Sequence, residues 1–188
     1  MVDTPAPTQS GASERSKTPA LLDIDGAELI AAVIVVSDRV AHGERRGKSG
    51  PVIVDALQDA GCAVAPIVVV PEGSDAVATA IDQALASGAR VVFTSGGTGL
   101  NPRNRTPEVT AERITTRLTG LENQVLIKGL QASDKAGLAR GIIGLTARSP
   151  QGSLIVNAPG SSGGAADAVA VIAPLIPSIF NQLGARCQ

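Results

Sequence analysis

The sequence contains no tryptophan, no tyrosine and only two phenylalanines, Phe93 and Phe180. Stacking platforms for single-stranded nucleic acid rest on aromatic faces, so that mode of binding is excluded. Charge is equally spare. Sixteen Lys and Arg stand against 17 Asp and Glu, a net of −1, and charged residues are 18% of the chain. No global basic field draws in DNA or an anionic membrane, and neither is an expected partner. One histidine, His42 in a charged loop, and two distant cysteines, Cys62 and Cys187, leave no cluster for tetrahedral zinc and no credible Ser-His-Asp set. The first twenty residues lack a secretory apolar region, and no apolar run is expected to reach the ~20 residues of a membrane span. A reducing, cytoplasmic setting with unpaired thiols is therefore the expectation.

What is present is aliphatic. Apolar residues are 44% of 188, enough for the core of one domain, and a Val/Ile/Leu/Ala core suits a parallel sheet covered by helices. Residues 1–20, rich in Pro, Ser and Thr, read as a disordered tail. Residues 21–188 read as a single domain.

Ala27–Val36 is a continuous apolar run, the pattern of a strand buried on both faces. Ser49-Gly50-Pro51 opens a helix with Ile53, Leu57 and Ala60 on its apolar face and Gly61 at its stop. A strand over Ala63–Val70, a helix from Ser74 that stops at Gly88, and a strand over Val91–Ser95 follow. Such alternation means β-α-β units, right-handed crossovers and a parallel sheet.

Thr106-Pro107-Glu108 starts a helix with Thr106 as its cap, running to about Leu118, and a further helix covers Glu122–Leu130. Strands over Gly141–Ala147 and Ser153–Ala158 precede a helical segment, Ala165–Leu183, which Pro174 and Pro177 divide.

Ligands of open α/β sheets bind beyond the carboxyl ends of the strands. Three such ends carry unusual loops: Ser37-Asp38-Arg39, Ser95-Gly96-Gly97-Thr98-Gly99, and Asn157 through Gly164. Gly96, Gly97 and Gly99 can aim successive N–H groups into one anion-binding concavity, with the Thr98 hydroxyl beside them. The loop at Gly160–Gly164 can do the same at a helix N-terminus. Glycines also serve plain tight turns, and one such loop alone decides nothing. No G-x-x-x-x-G-K-[ST] loop is present, and no G-x-G-x-x-G opens the first helix, so phosphate binding here is of neither the Walker nor the dinucleotide type.

Read through, Gly96 to Glu108 is GGTGLNPRNRTPE. It resembles the G-G-T-G-x-x-x-R-D-x-T-P-E signature of the MoaB/Mog molybdopterin-binding family, which is related to the gephyrin G domain. Ser37-Asp38-Arg39, Lys48-Ser49-Gly50-Pro51, Leu138-Ala139-Arg140-Gly141 and Asn157-Ala158-Pro159-Gly160-Ser161 look like further landmarks of that family, in the same order. The resemblance runs from about Glu28 to Leu183.

It implies a three-layer α/β/α sandwich with a mostly parallel central sheet, usually a homotrimer. It also implies an adenylyltransferase that joins molybdopterin to AMP from Mg-ATP and releases pyrophosphate. By position, Gly96, Gly97, Thr98 and Gly99, with Ser95, would hold the phosphate or pterin end of molybdopterin. Pro159, Gly160 and Ser161 would line the same pocket, with Ser37 and Thr106 at its edge. Asp38 and Glu108 would orient polar groups, or Glu108 simply steadies its helix end. Arg103 would pair with phosphate, or stand as a solvated loop charge. Glu72 would serve Mg²⁺.

The departures are specific. Asn104 stands where active members carry Asp, Glu72 where they commonly carry Asp, Gly47 where an acid is frequent, and Ser162-Gly163 where the family has Pro and a cation. A Mg²⁺ site wants anionic oxygens, and asparagine supplies a neutral carbonyl. Two functions therefore stand side by side. One is molybdopterin adenylylation, with Asp38, Glu72, Asn104 and Glu108 as its catalytic set. The other is a weakened paralogue acting as a pterin-binding or protein-binding regulatory module. A phosphosugar-binding or other nucleotide-binding protein rests on fold analogy alone.

Overall fold

The computed structural model describes residues 20–188. The tail expected over residues 1–20 lies, apart from Ala20, outside the described residues. An antiparallel pair, β1 (Asp23–Ile24) and β2 (Ala27–Glu28), leads the fold. Asp25 and Gly26 both take positive φ, 54° and 87°, the conformation a two-residue hairpin turn requires. Strand β3 is therefore shorter than the apolar run and covers Ile30–Val36. There follow α1 (Asp38–Ala41), α2 (Ser49–Asp59), β4 (Ala63–Val64), β5 (Val68–Val70), α3 (Ser74–Ala86) and β6 (Val91–Ser95). The second half holds α4 (Thr106–Ala111), β7 (Thr116–Arg117), α5 (Thr119–Leu130), a 3-10 helix over Asp134–Leu138, β8 (Ile143–Leu145) and β9 (Leu154–Ala158). It closes with α6 (Ser162–Ile172), a 3-10 turn (Ala173–Leu175) and α7 (Ile176–Gln182).

The seven-stranded sheet runs β4-β3-β6-β9-β8-β7, with β5 also on β3. Pairs among β3, β4, β5, β6 and β9 are parallel, while β8 runs antiparallel to both β9 and β7. Successive side chains alternate between faces. Val33, Phe93 and Val156 join Ile53 and Leu57 of α2, Ala168 and Ile172 of α6, and Phe180 of α7. Ile34, Val92 and Ile155 join Val77 and Ile81 of α3 and Val109 of α4. The result is an α/β/α sandwich with a mostly parallel central sheet.

Several expectations are corrected. The single strand over Ala63–Val70 is two short strands separated at Ala65-Pro66-Ile67, because proline removes a ladder donor. The helix from Thr106 ends at Ala111, since β7 claims Thr116 for the sheet edge. Thr106 is not the cap. It is the first helical residue, and its hydroxyl donates to the Gly96 carbonyl at 3.0 Å.

The last segment has, over Ser162–Gln182, the 21-residue length and mean hydropathy (1.6) of a membrane span, contrary to the expectation from sequence. Its kinks at Pro174 and Pro177 and its buried face, including Ala165, Ile172 and Phe180, make it a covering layer of the sheet. Cys62 and Cys187 are unpaired and buried. Burial, with Cys187 nearby, pushes the Cys62 thiol up to about 12, so it is no reactive thiolate at neutral pH.

Candidate functional site

Four parallel strands, β3, β5, β6 and β9, end on one edge of the sheet, and their loops build one site. The glycine loop after β6 is held from three sides. Gly96 and Gly97 have φ of 107° and 65°, and a Cβ on Gly96 would collide with the Val36 carbonyl of β3. Only glycine satisfies both conditions. The Gly96 amide donates to Ala158 O at 3.1 Å, and the Ser95 hydroxyl to Pro159 O at 3.0 Å, so the β6 and β9 loops are tied together. Gly160 packs directly on Gly96, where a Cβ would sit 3.2 Å from the Gly96 Cα.

The concavity expected at Gly96–Gly99 thus begins one residue later. Amides of Gly97, Thr98 and Gly99 donate to no acceptor among the described residues. Across from them α6 begins. Its N-cap Ser161 accepts from Gly164 N at 3.2 Å, and the amides of Ser162 and Gly163 donate to no acceptor among the described residues. The unspent amides of Gly97, Thr98 and Gly99 share one lining with the α6 N-cap Ser161, the kind of arrangement that takes an anion.

A groove of about 430 Å³ runs over this floor. Of the residues singled out from the sequence it is lined by Ser37, Glu72, Ser95, Gly96, Gly97, Thr98, Gly99, Asn104, Gly160 and Ser161. It also carries Arg39, Arg45, Lys48 and Lys135, four cations that sequence pattern does not single out as ligand-binding. Arg39 and Lys48 show in sequence only as parts of landmarks, Arg45 only as part of the polar loop after α1, and Lys135 not at all. At Ser161, Lys135 and Ala139 the groove meets a second cavity of about 560 Å³, which includes Val125, Leu126, Ile143 and Pro159 in its lining.

Asp38, Arg103, Thr106 and Glu108 lie outside the groove lining. Asp38 and Arg103 pair with each other: Nη1 reaches Oδ2 at 2.9 Å and Nη2 donates to Oδ1 at 3.1 Å. Arg103 Nη2 also donates to the Glu72 carbonyl at 2.9 Å, and Glu72 N to Asp38 Oδ1 at 3.0 Å. The Asn104 amide donates to Glu72 Oε2 at 2.8 Å. Thr106 is fully buried beneath the glycine loop. Arg103 is a largely exposed loop cation, its side chain 60% accessible, and it is paired with Asp38.

Glu108 pairs with Arg140. Burial opposes its ionised form, but the Arg140 hydrogen bond, its backbone bond and the charges of Arg140 and Arg105 outweigh that and hold its carboxyl below the usual range. Glu108 stands in the first turn of α4, the helix-end place expected of it, and is also bound to Arg140. Glu108 positions Arg140.

Arg140 is visible in sequence only as a landmark. Its backbone amide donates to Thr98 O at 2.9 Å, Nε to Gly99 O at 3.0 Å and Nη2 to Asn104 O at 2.6 Å. Arg140 therefore fixes the path of the loop from Thr98 to Asn104, by its amide at one end and its side chain over the rest. Asn157 does similar work below. Its amide donates to Thr94 and Thr110 hydroxyls at 3.0 and 2.8 Å and its oxygen accepts from Ile142 N at 3.2 Å, so β9 joins β6, α4 and β8.

Fold and site define an α/β protein with a groove of unspent amides and cations across the carboxyl ends of four parallel strands. Residues 32–178 match the family described as "Probable molybdopterin binding domain", and the chain belongs to that family. A solved structure from Corynebacterium diphtheriae, ascribed to molybdenum cofactor biosynthesis, shares 49% identity at a TM-score of 0.76, over 82% of this chain and 97% of that one. The molybdenum cofactor biosynthesis bifunctional protein of Chlorobaculum tepidum is 35% identical over 155 residues, 81% of this chain but 47% of that protein. The chain thus spans about half the length of the curated relatives it matches first. The molybdopterin adenylyltransferase of Pyrococcus furiosus is 46% identical over 76 residues, 40% of this chain and 44% of that protein.

Proposed function

We propose that this chain acts in molybdenum cofactor biosynthesis, where it binds molybdopterin and transfers AMP to it from ATP with release of pyrophosphate. The observation that carries this reading is the junction of the two cavities. The 430 Å³ groove offers unspent amides of Gly97, Thr98 and Gly99 and four cations, which suits phosphates, and the unspent Gly163 amide lies on the adjoining cavity. The adjoining cavity of about 560 Å³ is large enough for a flat heterocycle. The partial likeness to an adenylyltransferase supports the same chemistry.

In such a transfer a phosphate oxygen of molybdopterin attacks the α-phosphorus of ATP, and the bond to pyrophosphate breaks. The protein's share is positioning and charge neutralisation, for which preorganised amides and fixed cations suffice in kind. Mg²⁺ would enter as the counter-ion carried by the triphosphate. A homotrimer is part of the proposal, with Leu126, Ile127 and Leu130 of α5 among the exposed apolar residues available to its contacts.

Purified protein incubated with molybdopterin and ATP should yield the adenylylated pterin and pyrophosphate in equal amounts. Pterin binding without turnover would instead favour the regulatory reading, which has its own supporting observation in the Arg103 and Asn104 contacts to Asp38 and Glu72. Failure to bind molybdopterin at all would overturn adenylylation and pterin binding alike and leave the protein-binding module as the reading.

A further inference from the structure

The acidic residues nearest the groove are the ones a divalent cation would use, and both oxygens of Asp38 and one of Glu72 are already engaged. Asp38 gives both oxygens to Arg103, and one of them also accepts the Glu72 amide. Glu72 accepts from Asn104. The donors are themselves held: Arg103 N donates to Asn101 Oδ1 at 2.9 Å, Asn104 N to Asn101 O at 2.8 Å, and Asn104 O accepts from Arg140. Asn101 thus folds a tight turn that presents a guanidinium and an amide side by side toward two carboxylates from other strand ends.

We infer that Arg103 and Asn104 form a clasp that takes the place of a divalent cation at Asp38 and Glu72, joining the ends of β3, β5 and β6 without metal. The pair is bidentate but the Arg103 side chain is 60% exposed, so water screens it and the clasp rests on its geometry more than on the strength of the charge contact. A guanidinium is donor-only, and Asn104 faces Glu72 with its donor end, so neither adds an anionic oxygen to a coordination sphere. No group of three or more His, Cys, Asp and Glu side chains suited to a metal occurs among the described residues. A cation entering here must displace Arg103 and sit beside its positive charge, for two carboxylates in return, a poor exchange for Mg²⁺. The clasp does mechanically what a bridging ion would do, since it spans 65 residues between Asp38 and Arg103 and 32 between Glu72 and Asn104. Arg103 and Asn104 are accordingly positioning residues.

The test uses Mn²⁺ alone, with no nucleotide or pterin, followed by the paramagnetic signal of the free ion. Its outcome is therefore separate from whether adenylylation occurs. Wild-type protein is expected to bind no Mn²⁺ below about 1 mM. Asn104→Asp, and the double variant Arg103→Ala with Asn104→Asp, should each tighten Mn²⁺ binding by roughly tenfold or more. Asn104→Gln and Arg103→Lys, which keep a donor, should remain like wild type. Micromolar Mn²⁺ binding by wild type that Asp38→Asn and Glu72→Gln abolish would overturn the clasp. So would folded acid-restoring variants that bind no tighter than wild type. If the double variant fails to fold, Asn104→Asp and the wild-type measurement together still decide for or against the clasp.

Discussion

Gly97 and Thr106 share one space: a Cβ on Gly97 would collide with Thr106 Oγ1, the atom whose hydrogen bond holds the Gly96 carbonyl. Gly97→Ala therefore meets overpacking and a positive φ together. The expected cost is about 3 kcal/mol, or roughly 6–12 °C in melting temperature for a chain of this size. Thr106→Ala relieves the collision but loses the hydrogen bond. The double variant should therefore be less destabilised than the sum of the singles, as a thermal double-mutant cycle would reveal.

Asn104→Asp replaces an amide donor with a second carboxylate against Glu72. In chelator the variant should melt a few degrees below wild type, since a hydrogen bond of about 1 kcal/mol becomes a like-charge contact. Millimolar Mg²⁺ should restore the loss in the variant and leave wild type unmoved. In the adenylylation assay the same variant should be at least about tenfold faster with little change in pterin affinity.

These contacts mark the limit of what the chain reveals when read as letters. Val91–Ser95 and the start of α3 at Ser74 are legible because continuous apolar runs and four-residue periods report burial directly. The glycine loop is legible because positive φ has few residue solutions. The reversal of β8 is not, because Ile143–Leu145 is buried in either direction and carries no turn signal. The roles of Arg103, Glu108 and Arg140 escape a sequence reading for one reason. Their partners lie 31 to 65 residues away, and pattern within a segment says nothing of them.

Arg140→Met should unfasten the loop from Thr98 to Asn104 and leave the Gly99 and Asn104 carbonyls short of donors, a loss of about 2 kcal/mol. It should also alter the response to acid. In wild type the lowered Glu108 value means that the unfolded chain takes up the proton first. This stabilisation is full above the ordinary Glu value of about 4.3 and disappears as pH falls through the lowered folded value. Melting curves between pH 3 and 6 should therefore fall less steeply toward acid in the variant.

Lys48→Ala and Lys135→Ala each remove one groove cation without touching the fold's buried layers. Pyrophosphate titrated by calorimetry should bind several-fold more weakly to either variant, and its affinity should vary less with salt than in wild type. An unchanged affinity in both would remove these lysines from the anion site.

Buried Asn157 satisfies Thr94, Thr110 and Ile142 at once. Asn157→Leu should cost about 2–4 kcal/mol by orphaning the Ile142 amide and crowding two hydroxyls, and urea unfolding would read the loss as a lower midpoint.

The contact between Gly160 and Gly96 is backbone on backbone. At that contact no side chain stands between the two loops, so their separation there is set by the main chain. The floor of the groove is thus set by the main chain, and arrival of a phosphate-bearing ligand need not wait for these two loops to come together. Association should then run at the pace of diffusion through the field of the surrounding cations, and discrimination among ligands should show itself in how slowly they leave.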